Sequence, residues 1–207
     1  MSSTLVDEAG RAALTAAIKA VEARSSAEVV IAVRASSGFY LHADLIVGGV
    51  FALLTLAFLL FSHFEFAIAW FIVDILVVGF AAGWVSSRSP RLRRLLTPPR
   101  LRARWVEESA HAAFFERGVH LTADRTGILV YVSLLEETAA VVGDRGVVTV
   151  VPHERWHQAI GRVADKVTVG ADAAAIAAEI TALGDILEPY LPVAEDDINE
   201  LPDEVHL

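Results

Sequence analysis

Two long apolar runs break into a chain whose remaining segments follow short helical and strand-like patterns. From Leu45 to Phe61 there is no charge, and Thr55 is the one polar side chain; from Phe66 to Val85, Asp74 is the one charge. Each run approaches the roughly 20 apolar residues that a helix needs to cross a bilayer core. The connection Ser62-His63-Phe64-Glu65 is short, so the two helices must return as an antiparallel hairpin with both flanks on one side. Gly48, Ala52, Gly79 and Gly83 recur at four-residue spacing, which allows close helix approach in lipid. Asp74 and Thr55 are read at similar depth, Asp74 as a functional intramembrane acid or as a hydrogen-bond partner of Thr55 or of a second hairpin.

Outside the runs, the periodicity predicts a helix from about Thr4, with Thr4 as cap and Leu14, Ala17, Ile18 and Val21 as its apolar stripe. Glu28–Arg34 reads as a buried strand, and Phe39-Tyr40 as interfacial aromatics. After Pro98-Pro99 comes a helix over about 101–119 with Trp105, Ala112, Ala113 and Phe114-Phe115 on its apolar side. Ile128–Leu134 and Thr138–Val142 read as a strand hairpin, Gly143-Asp144-Arg145-Gly146 as a tight turn, and Val147–Val151 as an extension of the sheet. Helices over about 153–167, with Trp156, Ile160 and Val163 on one side, and 171–187 follow; an acidic tail is expected to lie over the surface. The resulting divisions are 1–43 (helix and strand), 44–86 (transmembrane hairpin), 87–104 (basic collar), 105–194 (remainder of the domain) and 195–207 (tail).

Composition sharpens this picture. The 207 residues are 55% hydrophobic with mean hydropathy +0.51, and the formal net charge is −9. That charge hides an asymmetry, because Arg88, Arg91, Arg93, Arg94, Arg100, Arg102 and Arg104 follow the second run without an acid among them. Juxtamembrane arginines are retained on the cytoplasmic side, so a two-pass protein of a bacterial inner membrane is expected, with both termini and the soluble domain cytoplasmic. Arg88, Arg91, Arg93 and Arg94 are the candidates for anionic lipid headgroups. Nucleic acid is excluded as the better partner, since no aromatic-studded binding motif accompanies the arginines. With no cysteine there are no disulfides or thiolate sites. The polar N-terminus predicts no cleaved signal peptide.

Two candidate chemistries emerge. The turns are expected to gather Glu136, Glu137, Asp144 and Asp124 at one end of the sheet, where calcium or another divalent cation finds oxygen ligands, with Glu136 and Asp144 foremost and Asp196, Asp197 and Asn199 as additional donors. Ordinary solvated turn residues are the alternative. His153-Glu154-Arg155-Trp156-His157 is a literal H-E-x-x-H, in which His153 and His157 share zinc and Glu154 activates its water. Glu179 or Asp185 would have to supply a third ligand. Phosphate-cradling, G-x-S-x-G and dinucleotide motifs are absent.

Several blocks carry a family resemblance. Ala17-Ile18 with Val21 to Val30, His111 to Phe115 before Thr122 to Ser133, Val141 to Gly146 followed by Trp156, and Asn199-Glu200-Leu201-Pro202 together resemble the TPM domain family in its membrane-embedded bacterial branch. The likeness covers nearly the whole chain, with the hairpin inserted after the first strand. It implies a three-layer α/β/α sandwich on a small mixed sheet. Phosphatase activity and calcium binding are associated with some members of that family. Family members usually place the domain outside the cytoplasm, from which this arginine collar departs. The resemblance implies a membrane-anchored accessory or binding module for membrane-protein assembly or maintenance, with a membrane-protein partner; a second hairpin as partner of Asp74 would add a homo-oligomer formed through the hairpin. The alternative is a membrane-anchored zinc metallopeptidase.

Overall fold

A computed structural model describes residues 5–64, 67, 70–193, 199–202 and 205–206. The predicted cap Thr4, the turn residue Glu65, Phe66 at the start of the second apolar run, and the acids Asp196 and Asp197 lie outside them. The chain forms two compact units, Met1–Ser37 with Ala103–Leu207, and Gly38–Arg102.

The first unit is a mixed α/β structure on a four-stranded sheet. Helix α1 (Glu8–Glu22) starts where Asp7 Oδ1 accepts the Gly10 N–H at 2.7 Å, and its stripe of Leu14, Ala17, Ile18 and Val21 is buried. Strand β1 (Val29–Arg34) runs parallel to β2 (Ile128–Ser133), which pairs antiparallel with β3 (Thr138–Gly143). The order is β3-β2-β1-β4, and β4 is the pair Val205–His206, parallel to β1 at Ile31 and Ala32. Alternation along the strands divides their side chains between two cores. Val29, Ile31, Val33, Ile128, Val130 and Val132 join α1 and the later helices α7 (His153–Thr168) and α8 (Ala173–Leu187). Val30, Ala32, Leu129 and Tyr131 meet Val106, Ala110, Ala113 and Phe114 of helix α5 (Pro99–Glu116). Both faces of β1 and β2 are therefore covered, which is why these strands read as continuous apolar runs. Each fully buried Ile or Leu adds about 1.5–3 kcal/mol of apolar transfer energy.

Three expectations are corrected here. The α5 face holds the expected Ala113 and Phe114 together with Val106 and Ala110, while Phe115 and Ala112 are exposed and Trp105 is half-buried. The segment after Gly143 is a helix, α6 (Arg145–Val150), and does not extend the sheet. Asp144 caps it through the Arg145 N–H at 2.6 Å, and Gly146 donates to Arg125 O at 2.8 Å. A Cβ at Gly146 would stand 2.5 Å from the carbonyl oxygens of both Asp124 and Arg125, so only glycine closes this corner. The acidic tail, lastly, does not merely lie over the surface. The Leu201 N–H donates to Glu28 Oε2 at 3.3 Å, the Ala123 N–H to Glu200 Oε2 at 2.9 Å, and β4 then joins the sheet.

The second unit contains α2 (Leu41–Phe61), α3 (Phe71–Ser87) and α4 (Pro90–Leu96). A Cβ on Gly48 would lie 2.8 Å from Gly79 O, one on Gly79 would lie 3.1 Å from Ala52 Cβ, and one on Gly83 would lie 3.1 Å from Asp44 O. As the α2 number rises, its α3 partner falls, so the helices are antiparallel and touch backbone to backbone along the small residues. Helix α3 begins at Phe71, five residues beyond the start of the apolar run. Helix α4 turns away from α3 by 99°.

Candidate functional site

The parallel strands β1 and β2 end side by side, with Arg34 opposite Ser133. There the Glu136 carboxylate, 1% exposed, accepts the Ser37 N–H on Oε1 at 3.0 Å and the Ser133 hydroxyl on Oε2. The Ser37 hydroxyl donates to Ser133 Oγ at 2.8 Å and lies 3.0 Å from the Tyr131 hydroxyl. Ser109 Oγ closes on Ser37 O at 3.5 Å. A buried carboxylate is tolerated when charge-assisted hydrogen bonds replace its water. Both oxygens of Glu136 thus serve to fasten the loop after β1 to the turn between β2 and β3. The spacing Ser133-x-x-Glu136 was the only sequence signal for this network.

Asp144 lies elsewhere. The register sets Ser133 opposite Thr138 and Ile128 opposite Gly143, so Glu136 and Glu137 follow one end of the hairpin and Asp144 the other, with Asp124 on the Asp144 side. Five strand steps put these ends about 17 Å apart. The expected single carboxylate cluster is corrected into two separate ends. Asp144 Oδ1 is engaged as a cap, while Oδ2 is 4.0 Å from Arg125 Nη1, too far for a hydrogen bond, and has no hydrogen-bond partner among the described residues. Among the described residues, no group of three or more His, Asp or Glu side chains is placed to hold a metal ion. Asn199 belongs to the tail segment tied to Glu28 through Leu201.

His153 and His157 occupy the first turns of α7, their ring centroids 3.8 Å apart and tilted by 39°, and both are exposed with Glu154. Trp156 points into the core. The suggested third ligands are engaged on α8. Glu179 pairs with Arg162 at 3.3 Å and Lys166 at 3.6 Å, and Asp185 pairs with Arg24 at 2.5 Å. Glu188 and Asp185, hydrogen-bonded to that guanidinium, raise the Arg24 pKa above its ordinary value.

Sequence reasoning missed a groove of about 490 Å³ that follows β3 from Thr138 to Gly143. Ala103, Val106, Glu107 and His111 of α5 line one side, and Trp156, His157, Ile160, Gly161 and Ala164 of α7 the other. His157 is therefore a groove residue as well as half of the histidine pair. β3 is an edge strand, and no signal in TAAVVG distinguishes an edge from a centre.

In the second unit, apolar side chains cover the outside of the helix pair: Leu45, Leu53, Leu54, Phe58, Leu60, Leu76, Val77 and Val85 are exposed, and Phe61 and Phe80 are 83% and 78% exposed. Among the described residues, α2 is the single helix that is long and apolar enough on its own to cross a membrane, while α3 qualifies only together with α4 as a bent pair. At 1.5 Å per residue, α2 spans about 31 Å and α3 about 25 Å. Asp74 sits in the first turn of α3, near its N-terminus, and Thr55 donates to Phe51 O at 2.8 Å within its own helix. No hydrogen bond joins Asp74 to Thr55 among the described residues. The collar arginines divide in role. Arg93 grips Asp44 through two bonds, Nη2 to Oδ2 at 2.7 Å and Nε to Oδ1 at 3.3 Å, and Arg88 stacks 3.5 Å from the Trp84 ring centroid. Arg91 is exposed and Arg94 half-buried.

Comparison with family models and with curated proteins gave no match. Among solved structures, the chain is similar to the NMR structure of the BA42 protein from the psychrophilic bacterium Bizionia argentinensis, with a TM-score of 0.59 and 17% identity over 99% of this chain and 98% of that one. At that identity the likeness carries the fold, a mixed α/β structure.

Proposed function

We propose that this chain is a membrane-anchored, TPM-like module in which a transmembrane hairpin interrupts a three-layer α/β/α domain. It acts without catalysis, as an accessory that holds a membrane-protein partner during assembly or maintenance. The observation that carries the reading is the apolar outer surface of α2 and α3, far more than a soluble monomer exposes in one patch. Exposed Arg88 and Arg91 support a cytoplasmic headgroup contact at the end of α3. A binding role is favoured because Glu136, the foremost candidate ligand, is fully occupied in fastening two loops. The proposal assigns no shared cation to Glu136 and Asp144.

Alkaline carbonate extraction of membranes, followed by protease treatment of inverted vesicles, tests the anchor. The protein should stay in the pellet and its C-terminal domain should be digested in inverted vesicles. Release into the carbonate supernatant would remove the anchor, and protection of the domain would reverse the topology.

A further inference from the structure

We propose that the open edge of β3 captures an extended segment of a partner protein by strand addition. This deepens the binding-module reading above and rests on it.

The backbone parity of β3 fixes which groups are available. The Asp144 N–H donates to Gly127 O at 2.8 Å, which makes the Asp144–Gly127 couple a hydrogen-bonded pair of the antiparallel ladder. Stepping by two along the register gives Val142–Leu129, Ala140–Tyr131 and Thr138–Ser133 as the other hydrogen-bonded pairs. The N–H and C=O groups of Ala139, Val141 and Gly143 therefore face away from β2. Among the described residues nothing bonds to them. They form three donor–acceptor couples at alternate positions, the pattern that an added strand completes.

The surroundings define the occupant. Sheet edges are usually blocked by lysine, proline or a bulge, yet Thr138–Gly143 carries no charge and no proline and pairs without interruption. The edge is flanked from both sides by α5 and α7, and no β3 residue is exposed. A second folded copy would bring its own α5 and α7 against these walls before two edges reached the ~4.8 Å strand spacing, whereas a single extended chain enters between them. The groove of about 490 Å³ has three small residues, Ala103, Gly161 and Ala164, beside the bulkier Val106, Trp156 and Ile160 in its walls. A Cβ at Gly161 meets nothing within 4 Å, so this mid-helix glycine leaves space open. The uncharged edge and the gaps at Ala103, Gly161 and Ala164 select an extended peptide, uncharged along the strand and with small side chains where it faces the helices.

The test uses the full chain in detergent micelles and a pool of end-capped hexapeptides randomised over Ala, Val, Thr and Ser. Amide hydrogen exchange is followed at Ala139, Val141 and Gly143. Peptide at about ten times its Kd should slow exchange at these three amides about tenfold, and not at Ala140 or Val142, which the ladder already protects. N-methylation of every peptide bond, which leaves neither edge of the peptide a donor, should abolish the effect. Gly161→Leu, which fills the groove, and Val141→Pro, which removes an outward donor, should each abolish it as well. No protection by the pool, protection indifferent to N-methylation, or protection that depends on protein concentration alone would overturn the site; the last would assign the edge to a second copy. Carbonate extraction is read on membranes from the same expression. Retained anchoring without peptide protection sinks the edge site alone, and peptide protection without anchoring sinks the membrane reading alone.

Discussion

The carboxylate of Glu136 holds the backbone N–H of Ser37, 99 positions earlier in the chain, at 3.0 Å. One side chain in a hairpin turn thereby fixes where the chain leaves β1. Glu136→Ala strands the Ser133 hydroxyl in a buried site and the Ser37 N–H in a partly buried one, and should cost about 2–3 kcal/mol. Glu136→Gln, which keeps the shape and still accepts on Oε1, should cost less. Denaturant titration of the detergent-purified protein measures both. An alanine variant as stable as the wild type would mean that the network does not hold this loop.

The absence of native cysteine makes the helix pair easy to interrogate. Ala52 Cβ and a Cβ built on Gly79 lie 3.1 Å apart, close to the ~3.8 Å of a disulfide. Ala52→Cys combined with Gly79→Cys should cross-link on mild oxidation after a small shift. Gly48→Leu, whose Cβ would press on Gly79 O at 2.8 Å, should prevent that cross-link. Cross-linking that persists when Gly48→Leu is added to the cysteine pair would show that the backbones do not meet there.

The collar arginines should separate by role. Arg93→Gln leaves Asp44 without its partner in a mostly buried pair and should lower stability by about 1–3 kcal/mol. Arg91→Gln should leave stability unchanged and, if the proposed cytoplasmic headgroup contact holds, weaken the topology bias instead. Thermal denaturation and a protease-protection assay on the two variants distinguish the effects.

Glu136 and Asp144, at opposite ends of the hairpin, should not share a cation, and Glu179 and Asp185, held by Arg162, Lys166 and Arg24, should not complete a zinc site with His153 and His157. Elemental analysis should find zinc well below one per chain, and calcium should leave the melting temperature of the wild type unchanged. One zinc per chain that disappears in His157→Ala would revive the peptidase reading and supply the third ligand from outside the described residues.

Much of the architecture was legible in the sequence because it is written in periodicity. The stripe Leu14–Ile18–Val21, the run Ile128–Val132 and the small residues Gly48, Gly79 and Gly83 each declare a buried face by spacing alone. The candidate site was less legible, because it depends on strand direction. A hairpin sends the residue after its second strand back to where the first began, so Glu136 and Asp144 part company although each follows a strand. Val147–Val151 has the β-branched content of a strand, but the Asp144 cap and the Gly146 contact with Arg125 O wind it into a helix. In the tail, the excess of acids concealed Val205 and His206 as sheet members.

The tail now carries its own prediction. Removing residues 199–207 deletes β4 and the bonds to Glu28 and from Ala123, and should lower stability by about 2–4 kcal/mol while exposing Ile31 and Ala32 to proteolysis. Limited proteolysis of the truncated and full chains checks it. Equal resistance would make the tail ornamental.

β1 has a neighbour on each side, β2 and β4, and both come from far downstream. During synthesis, Val29 must wait for Ile128, an interval of about 5–20 s at ordinary elongation rates. In that interval the nascent chain presents an unpaired apolar strand while the hairpin emerges behind it. Ribosome-bound chains should therefore recruit holding chaperones until the second half appears, and variants that lengthen the wait, such as slow codons after Pro99, should aggregate during translation even though the finished protein is unaltered.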